Sequence, residues 1–491
     1  MLSLPLRSHQ ILLSFAQDDF YYYLKPAQNF AAGRGATFDG TTLTNGFHPL
    51  YFLLLTGASF FLHSLDSIFR LLWAVDLLSA AAIFVLLRSV YSRVTANPFL
   101  YNALALCVLL PCLRTIFMQM EVTLALPLAF AFLATAFYPP ERYAPSRCAA
   151  LGLLAALTML ARLDAAILVL LFLVGLLMIP EYRSVFTGRN MAGFAITSLP
   201  LPLFYFFVNY HFFHQFLPIS GSAKQLRHGR MPSYEVLSSF HGTSLVLISL
   251  AAVSVVVCWS IRRYLRAQEK LFCIAALWTP FLFFTMEMFL SDWKLWGWYL
   301  YTLRFAVAAS FLLFGVIVSS DVIPHRWTFA RQVAHSEWLA PVLYTASLFL
   351  LVISRYKVDL FMVEIQQAAM RLEGFEATHP GRYAMGDRAG MFGYLSASPV
   401  LQAEGLVMDR RYLNHIRAQD DLRSVLVGYG VTYYVAFTEA KKEGKGPCFR
   451  ATEPVIAGPD ALRMRSDLCE APVFQFNGFD GTYRVFRLSS R

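Results

Sequence analysis

Residues 16–51 read "AQDDFYYYLKPAQNFAAGRGATFDGTTLTNGFHPLY" and place two adjacent acids, Asp18 and Asp19, directly after a short apolar segment. An aromatic run, a lysine and a glycine-rich stretch follow, and the chain then becomes hydrophobic again. Charged side chains are costly inside a membrane, so a pair of acids at the edge of an apolar segment indicates a functional site. Adjacent side chains on a regular backbone point in different directions, and we therefore expect the two carboxylates to have different roles.

The composition is that of a polytopic membrane protein. Of the 491 residues, 57% are hydrophobic and 15% are charged, whereas soluble domains have about 25% charged residues. The net charge of +10 is explained by basic cytoplasmic loops. The sequence has neither basic–aromatic interleaving nor zinc-finger spacing, so we expect no nucleic-acid partner.

The apolar runs predict about eleven membrane-spanning helices. These are residues 2–17, 68–91, 99–113, 122–138, 148–161, 165–179, 191–209, 243–261, 271–290, 298–319 and 338–354. The first is short for a span and has no small-residue cleavage site after it. Either the first helix is short, or the given start lies downstream of the natural one.

The segment 47–65 decides the orientation of the chain. If it lies along the interface instead of crossing, most basic loop residues fall on the cytoplasmic side. Pro49 at its start suits the first turn of a helix. We therefore expect a juxtamembrane helix at 47–65, and we expect residues 18–46, the loop at 210–242 and the C-terminal part to be extracytoplasmic.

Residues 356–491 are predicted to form a soluble α/β domain that follows the membrane module of residues 1–355. "RRYLNHIRAQDDLRSVLVGYG" (410–430) predicts helices that end at glycine, "VTYYVAFT" (431–438) predicts a strand, and "FNGFDGTYRVFRL" (476–488) predicts a hairpin. Cys448 and Cys469 could form a disulfide in an oxidising compartment. "GDRAGMFGY" (386–394) does not match a nucleotide loop, and we expect a structural turn or a loop that covers the membrane site.

The opening stretch resembles the first-loop motif of GT-C glycosyltransferases, polytopic enzymes that use polyprenyl-phosphate-linked sugars. It is most similar to an uncharacterised bacterial group related to protein mannosyltransferases and aminoarabinose transferases. The later stretches "MEVTLALPL" (120–128), "ARLDAAIL" (161–168), "FLPISGSAK" (216–224) and "GDRAGMFGYLS…EGLV" (386–407) look like further landmarks of that group. The resemblance implies a bacterial inner-membrane enzyme whose active site and C-terminal domain are extracytoplasmic. It also implies a polyprenyl-phosphate-linked sugar as donor, with a glycan, a lipid or a protein as acceptor.

The resemblance assigns the general base to the first loop, at Asp18, with Asp19 as its partner or as the alternative. Cations on the outer side would stabilise the donor phosphate as the bond to the sugar breaks. The candidates for this role are Lys224, Arg304, His48 and Arg162. The candidates for contact with the sugar or the acceptor are Glu121, Tyr22 and Trp293.

Two other functions remain open from the sequence. A polytopic transporter or flippase would also be membrane-embedded, although such proteins often contain internal repeats, and none is evident here. A non-catalytic envelope-assembly protein would tolerate loss of Asp18. The sequence establishes no cofactor, and a divalent metal is left open because some members of the wider fold that it resembles use one and others do not. His211 and His214 have a possible metal-ligand spacing, but no third ligand is in view.

Overall fold

The computed structural model describes residues 15–183, 185, 187–229, 231–319, 360–439, 448–478 and 480–488. The predicted span 338–354 lies outside the described residues, as does 2–17 apart from its last three residues. Helices and short 3₁₀ helices make up the first part of the described chain, and a mixed sheet with further helices makes up the rest.

The helices of the first part follow one another with short connections. They are α1 (Asp18–Ala31), α2 (Pro49–Phe61), α3 (Leu65–Tyr91), α4 (Pro98–Ile116), α5 (Val122–Ala136), α6 (Pro145–Ala161), α7 (Ala166–Met178), α8 (Pro180–Arg183), α9 (Gly188–Ser198), α10 (Pro200–Phe213), α11 (Ile219–Lys224), α12 (Tyr234–Ser238), α13 (Thr243–Ile261), α14 (Ala267–Leu290) and α15 (Leu303–Ser319). Short 3₁₀ helices lie at Pro140–Arg142, Leu163–Ala165 and Gly297–Thr302.

Local sequence signals explain several helix starts. The Ser64 side chain accepts a hydrogen bond from the Ser67 amide at the start of α3, and Asn97 caps α4 by accepting from the amides of Phe99 and Leu100. Pro49 occupies the first turn of α2, where its missing N–H leaves no helical hydrogen bond unmade. A helix therefore starts at Pro49 as predicted, although it ends at Phe61, before the predicted residue 65. Its location along the membrane surface stays a prediction.

Within the described residues, six helical stretches are long and apolar enough to cross a membrane. They are Leu65–Tyr91, Pro98–Ile116, Gly188–Phe213, Thr243–Ile261, Ala267–Leu290 and Gly297–Ser319. Four further apolar helices are shorter, at Pro49–Phe61, Val122–Ala136, Pro145–Ala161 and Leu163–Met178. A helix rises about 1.5 Å per residue and the bilayer core is about 30 Å thick, so these fall short of a full span if they stand upright. The long apolar helices are those of a multi-pass membrane protein. The predicted number of about eleven spans is not confirmed.

The C-terminal domain, which is defined here as the described residues from 360 onward, contains the sheet. Its helices are α16 (Leu360–Glu376), α17 (Ala389–Leu395), α18 (Arg410–Ala418) and α19 (Leu422–Gly428). Its strands are β1 (Tyr383–Met385), β2 (Val400–Gln402), β3 (Tyr433–Glu439), β4 (Phe449–Glu453), β5 (Met464–Leu468), β6 (Phe474–Asn477) and β7 (Gly481–Arg487). The predicted strand at 431–438 and the predicted helices at 410–430 are therefore confirmed.

The sheet has the strand order β2-β1-β3-β7-β6. β1 runs parallel to β2 and to β3, whereas β7 runs antiparallel to β3 and to β6, as the hairpin signal predicts. β4 and β5 form a separate antiparallel pair. The disulfide Cys448–Cys469 joins the ends of this pair, with a Cα–Cα distance of 4.1 Å.

The first loop folds against the C-terminal domain. The α1 helix occupies the first half of this loop and packs against both α2 and α17. The Lys25 ammonium donates to the Tyr394 carbonyl at 3.3 Å, and the Arg382 guanidinium forms an ion pair with Asp39. The Phe38 ring lies so close to Gly393 that a Cβ there would clash with it. These contacts fix the position of the acidic pair relative to the C-terminal domain.

Candidate active site

Asp18, in the first turn of α1, is bound to the C-terminal domain. Its Oδ2 accepts from the Gly390 amide at 2.9 Å, and its Oδ1 accepts from the Met391 amide at 2.8 Å. A Cβ on Gly390 would clash with the Asp18 backbone and carboxylate, so glycine permits this close approach. Burial raises the pKa of Asp18 to about 6, although the two backbone hydrogen bonds lower it. Both oxygens of Asp18 are therefore used to hold the two parts of the chain together.

Asp19 points elsewhere, as expected for adjacent residues. It lines a small cavity, and its carboxylate makes no hydrogen bond to any of the described residues. Burial raises the pKa of Asp19 to about 7; Lys224 lowers it, and the nearby acids Asp18, Glu121 and Asp387 raise it. At neutral pH this carboxylate is thus divided between its ionised and neutral forms.

Lys224, at the end of α11, lines the same cavity as Asp19. Its ammonium donates to the Tyr299 hydroxyl and lies 5.8 Å from the ring centroid of Trp293. Burial lowers the pKa of Lys224, but the Tyr299 hydroxyl and the Asp19 carboxylate outweigh burial, so the net direction is upward. Lys224 is therefore a positive charge that faces the cavity.

Aromatic side chains form much of the remaining wall of this Asp19 cavity. Trp296 stacks on Trp298 with the rings nearly parallel and 6.1 Å apart, and Trp296 also faces Phe361 at 6.5 Å. Tyr22 and Trp293 line the cavity as well, so both predicted contact residues lie at this site. The cavity volume is about 40 Å³, which is room for water but not for a sugar ring.

The C-terminal domain contributes charged residues that we did not predict as site residues. The acids Asp387 and Glu404 and the base Arg388 all line the Asp19 cavity. Glu404 is 2% exposed; its Oε2 accepts from the Gln402 amide nitrogen at 3.1 Å, and its Oε1 has no partner among the described residues. Burial, together with Asp387, raises the pKa of Glu404 well above its ordinary value. The stretches that resemble the family, "GDR" and "EGLV", were the available signal for these positions.

A second group of charges, the Arg162 cluster, consists of Arg162, Glu121, Asp164 and Tyr301. Arg162 is 1% exposed and donates to Glu121 Oε1 at 2.5 Å and to Asp164 Oδ2 at 2.6 Å. The Tyr301 hydroxyl donates to Asp164 Oδ1 at 2.9 Å. The Arg162 guanidinium also lies 5.0 Å from the Tyr299 ring, whose hydroxyl accepts from Lys224. The predicted candidates Arg162 and Glu121 therefore neutralise each other beside the cavity.

The other two predicted cations have different surroundings. Arg304 on α15 donates to the Pro111 carbonyl at 3.1 Å and to Thr115 Oγ1 at 3.0 Å, so it binds α4 and does not line the Asp19 cavity. His48 precedes α2, and its Nδ1 accepts from the Leu163 amide at 3.4 Å. Burial lowers the pKa of His48, which favours its neutral form. Among the described residues, Lys224 is thus the one predicted cation that faces Asp19.

The sequence does not decide whether the protein binds a divalent metal ion. Within the part of the chain that the structure describes, no group of three or more His, Cys, Asp or Glu side chains is arranged to hold a metal ion. The acids around Asp19 instead interact with Lys224 and with the backbone amides of α17.

The chain is similar to the crystal structure of ArnT from Cupriavidus metallidurans bound to undecaprenyl phosphate. The alignment covers 95% of this chain and 97% of that chain, with 14% sequence identity and a TM-score of 0.49. No family model matches the sequence, and no curated protein matches it. The substrate and the reaction therefore have to be inferred from the site itself.

Proposed function

We propose that this protein is a membrane glycosyltransferase that moves a sugar from a polyprenyl-phosphate donor to an acceptor on the extracytoplasmic side. The observation that carries the proposal is the pairing of a free carboxylate, Asp19, with a cation, Lys224, in one aromatic-walled cavity. This cavity lies where the first loop meets the C-terminal domain. A base, an anion-binding group and apolar ring faces are the parts that sugar transfer from a lipid phosphate requires.

The reaction follows from these groups. The acceptor hydroxyl gives its proton to the Asp19 carboxylate, and the hydroxyl oxygen forms a bond to the anomeric carbon of the donor sugar. The bond between that carbon and the phosphate oxygen breaks, and its electron pair stays on the phosphate. The Lys224 ammonium offsets the negative charge that develops there.

Asp19 suits the role of base better than Asp18 does. The oxygens of Asp18 accept two backbone hydrogen bonds, which stabilise its ionised form and fix its orientation. Asp19 has no such partner among the described residues, and its pKa of about 7 lies close to neutral pH, where a general base is most effective. We therefore assign proton transfer to Asp19 and positioning of the α17 loop to Asp18.

The donor sugar is proposed to lie against the tryptophan wall. Trp293 and Trp296 line the cavity, and the negative potential on the face of an indole ring attracts the slightly positive C–H groups of a sugar ring. Since the cavity holds only about 40 Å³, donor binding must displace side chains of this wall. Tyr22, Trp293 and Glu121 remain proposed contacts of the sugar or the acceptor.

Two features support a membrane location and an extracytoplasmic C-terminal domain. The apolar helices supply the environment in which a polyprenyl chain dissolves. The disulfide Cys448–Cys469 suits an oxidising compartment, which supports an extracytoplasmic C-terminal domain. The proposed location is a bacterial inner membrane, and the proposed acceptor is an extracytoplasmic glycan, lipid or protein that reaches Asp19.

The experiment compares cells that lack the gene with cells that express the wild type, Asp19→Asn or Asp18→Asn. Mass spectrometry of envelope glycans measures the sugar that depends on the gene, and immunoblots of membranes measure the amount of protein. We expect Asp19→Asn to accumulate normally but to lose the modification, because an amide cannot accept the proton. Asp18→Asn should retain part of it.

The result that contradicts the proposal is a normal glycan pattern with Asp19→Asn. A transporter or flippase would instead leave transfer intact and change the distribution of the carrier lipid between the two leaflets. The two outcomes separate the enzyme from its strongest alternative.

A further inference from the structure

A second and larger cavity opens beside the Asp19 cavity, and we call it the β3–β4 groove. Its volume is about 1380 Å³, against about 40 Å³ for the Asp19 cavity. Sites for a single small ligand commonly measure about 300–1,000 Å³, so the groove has room for a longer molecule. The C-terminal domain supplies most of its lining, from β3, β4 and the segments 453–457 and 467–472.

The groove adjoins the Asp19 cavity, and six residues line both. The residues that line both are Lys294, Trp296, Phe361, Asp387, Arg388 and Ile456. Lys294 is exposed at this junction, and its ammonium lies 5.6 Å from the Trp296 ring centroid. A chain bound along the groove would therefore have its end beside Asp19.

The lining combines aromatic rings with charged groups. Phe449 stacks on Phe486 with ring centroids 5.2 Å apart, and the Arg388 guanidinium lies 3.6 Å from the Phe437 ring centroid. Arg450 and Asp467 form an exposed ion pair on the same wall. Ring faces suit the C–H surface of a sugar, and charged side chains suit its hydroxyl groups.

The position of the groove also distinguishes between kinds of acceptor. A lipid acceptor keeps its acyl chains in the bilayer, and only its head group would approach Asp19 from the membrane side. The lining residues of the groove come mainly from the C-terminal domain, and none of them belongs to the six long apolar helices. A polar chain that approaches through water fits this lining.

We propose that the β3–β4 groove is the acceptor site and that it takes a water-soluble saccharide chain, whose terminal hydroxyl reaches Asp19. This inference rests on the proposed function, because it identifies the acceptor of the same reaction. A peptide would be the competing polar chain, and the aromatic and arginine lining favours sugar rings over it.

The test blocks the groove after the protein has folded. Val455 lines the groove but not the Asp19 cavity, and it is 37% exposed. Val455→Cys is labelled with a polyethylene-glycol maleimide in right-side-out membrane vesicles that contain the cell's own donor and acceptors. The matched control is Ala418→Cys, on an exposed position of α18 that lines neither cavity. Labelled wild type controls for the native cysteines.

The gene-dependent sugar is then measured in three fractions: aqueous polysaccharide, chloroform–methanol lipid, and protein. We expect it in the polysaccharide fraction, with loss after labelling at position 455 and no loss after labelling at position 418. Binding of undecaprenyl phosphate to the purified labelled protein should not change, since the label lies outside the Asp19 cavity.

Three results overturn the inference while leaving the proposed function intact: the sugar appears in the lipid fraction, it appears in the protein fraction, or the label at position 455 has no effect. By contrast, the absence of gene-dependent sugar from every fraction would contradict the proposed function itself.

Discussion

Two cations lie near the ring of Tyr299, Lys224 at 4.7 Å and Arg162 at 5.0 Å from its centroid, and their surroundings differ. Arg162 is enclosed by the carboxylates of Glu121 and Asp164, at 2.5 and 2.6 Å. Lys224 donates to the Tyr299 hydroxyl and otherwise faces the Asp19 cavity. A cation between two carboxylates has its charge fully offset, whereas a cation with a phenol partner can still attract an anion. A cation that lies close to the site can therefore already be neutralised by neighbouring carboxylates, and it is then not available to bind an anionic substrate.

The largest effect expected from this comparison is on stability. Arg162→Met would leave the carboxylates of Glu121 and Asp164 without their counter-charge inside the protein. Removal of one partner from a buried ion pair costs about 3–5 kcal/mol in the free energy of unfolding. Thermal or denaturant unfolding in detergent measures it, and Arg162→Lys, which keeps the charge, should lose less. Equal unfolding midpoints for the wild type and Arg162→Met would show that the cluster is not structural.

Lys224→Met should lower the activity and leave the stability almost unchanged, which is the opposite of the effect expected for Arg162→Met. The variant should remain folded in the membrane, while sugar transfer falls by about 10²–10³, the effect of removing one group that stabilises a developing negative charge. Lys224→Arg, which retains a cation, should keep part of the activity. If Lys224→Met lowers stability as much as Arg162→Met and leaves the transfer rate per folded molecule unchanged, the distinction between the two cations is wrong.

The pH dependence of transfer follows from Asp19. A base accepts a proton only when ionised, so the rate should rise with pH and level off above about 7, the pKa of Asp19. Because Lys224 lowers that pKa, Lys224→Met should move the midpoint of the remaining activity to higher pH. Initial rates in membrane vesicles over a pH series provide the measurement. A midpoint that is the same in both proteins would mean that Asp19 and Lys224 do not interact.

The same raised pKa has a consequence for stability. The folded protein binds the Asp19 proton more tightly than the unfolded chain does, because the pKa rises from 3.8 to about 7. The free energy of unfolding should therefore fall as pH rises through this window, and Asp19→Asn should remove that part of the fall. We expect Asp19→Asn to unfold at a higher temperature than the wild type above pH 7 and to show no such gain below pH 3.8. Parallel unfolding curves at all pH values would contradict this.

Asp18→Asn should produce the smallest change. The amide retains one oxygen for the two backbone donors, so one of the Gly390 and Met391 amides loses its acceptor. Loss of such a hydrogen bond costs about 1–3 kcal/mol, and it should appear as faster protease cleavage near α17. Gly390→Ala serves as an independent test of the same contact, because its Cβ would clash with Asp18. Unchanged protection in both variants would show that α17 is held by other contacts.

Local signals made much of the fold predictable. Pro49 marked the start of α2, the β-branched and aromatic run at 431–438 marked β3, and adjacency alone implied that Asp18 and Asp19 would diverge. The number of spans was harder to predict, because α5 and α6 are mainly apolar yet shorter than a bilayer is thick. Apolar composition indicates that a helix is buried or contacts lipid, but it does not show whether the helix crosses the membrane.

The site was predictable only in part, for a physical reason. The structure brings Asp19, Lys224, Tyr22 and Trp293 together in one cavity, but no local pattern shows that Glu404 lines the same cavity or that Arg304 binds Pro111. These contacts join residues that are far apart in the chain, and they depend on how helices and sheet pack. Whether Arg162 faces substrate or neighbouring acids depends on packing in the same way.

The two hydrogen bonds between Asp18 and the start of α17 connect residues about 372 positions apart. A ribosome that adds about 5–20 residues per second needs roughly 20–70 s to travel that distance. During that interval the first loop has been made but α17, which it contacts, has not. Asp387 and Glu404, which line the Asp19 cavity, are also absent. The Asp19 cavity is therefore complete only after the last quarter of the chain has been made, so under the proposed function transfer would begin only then.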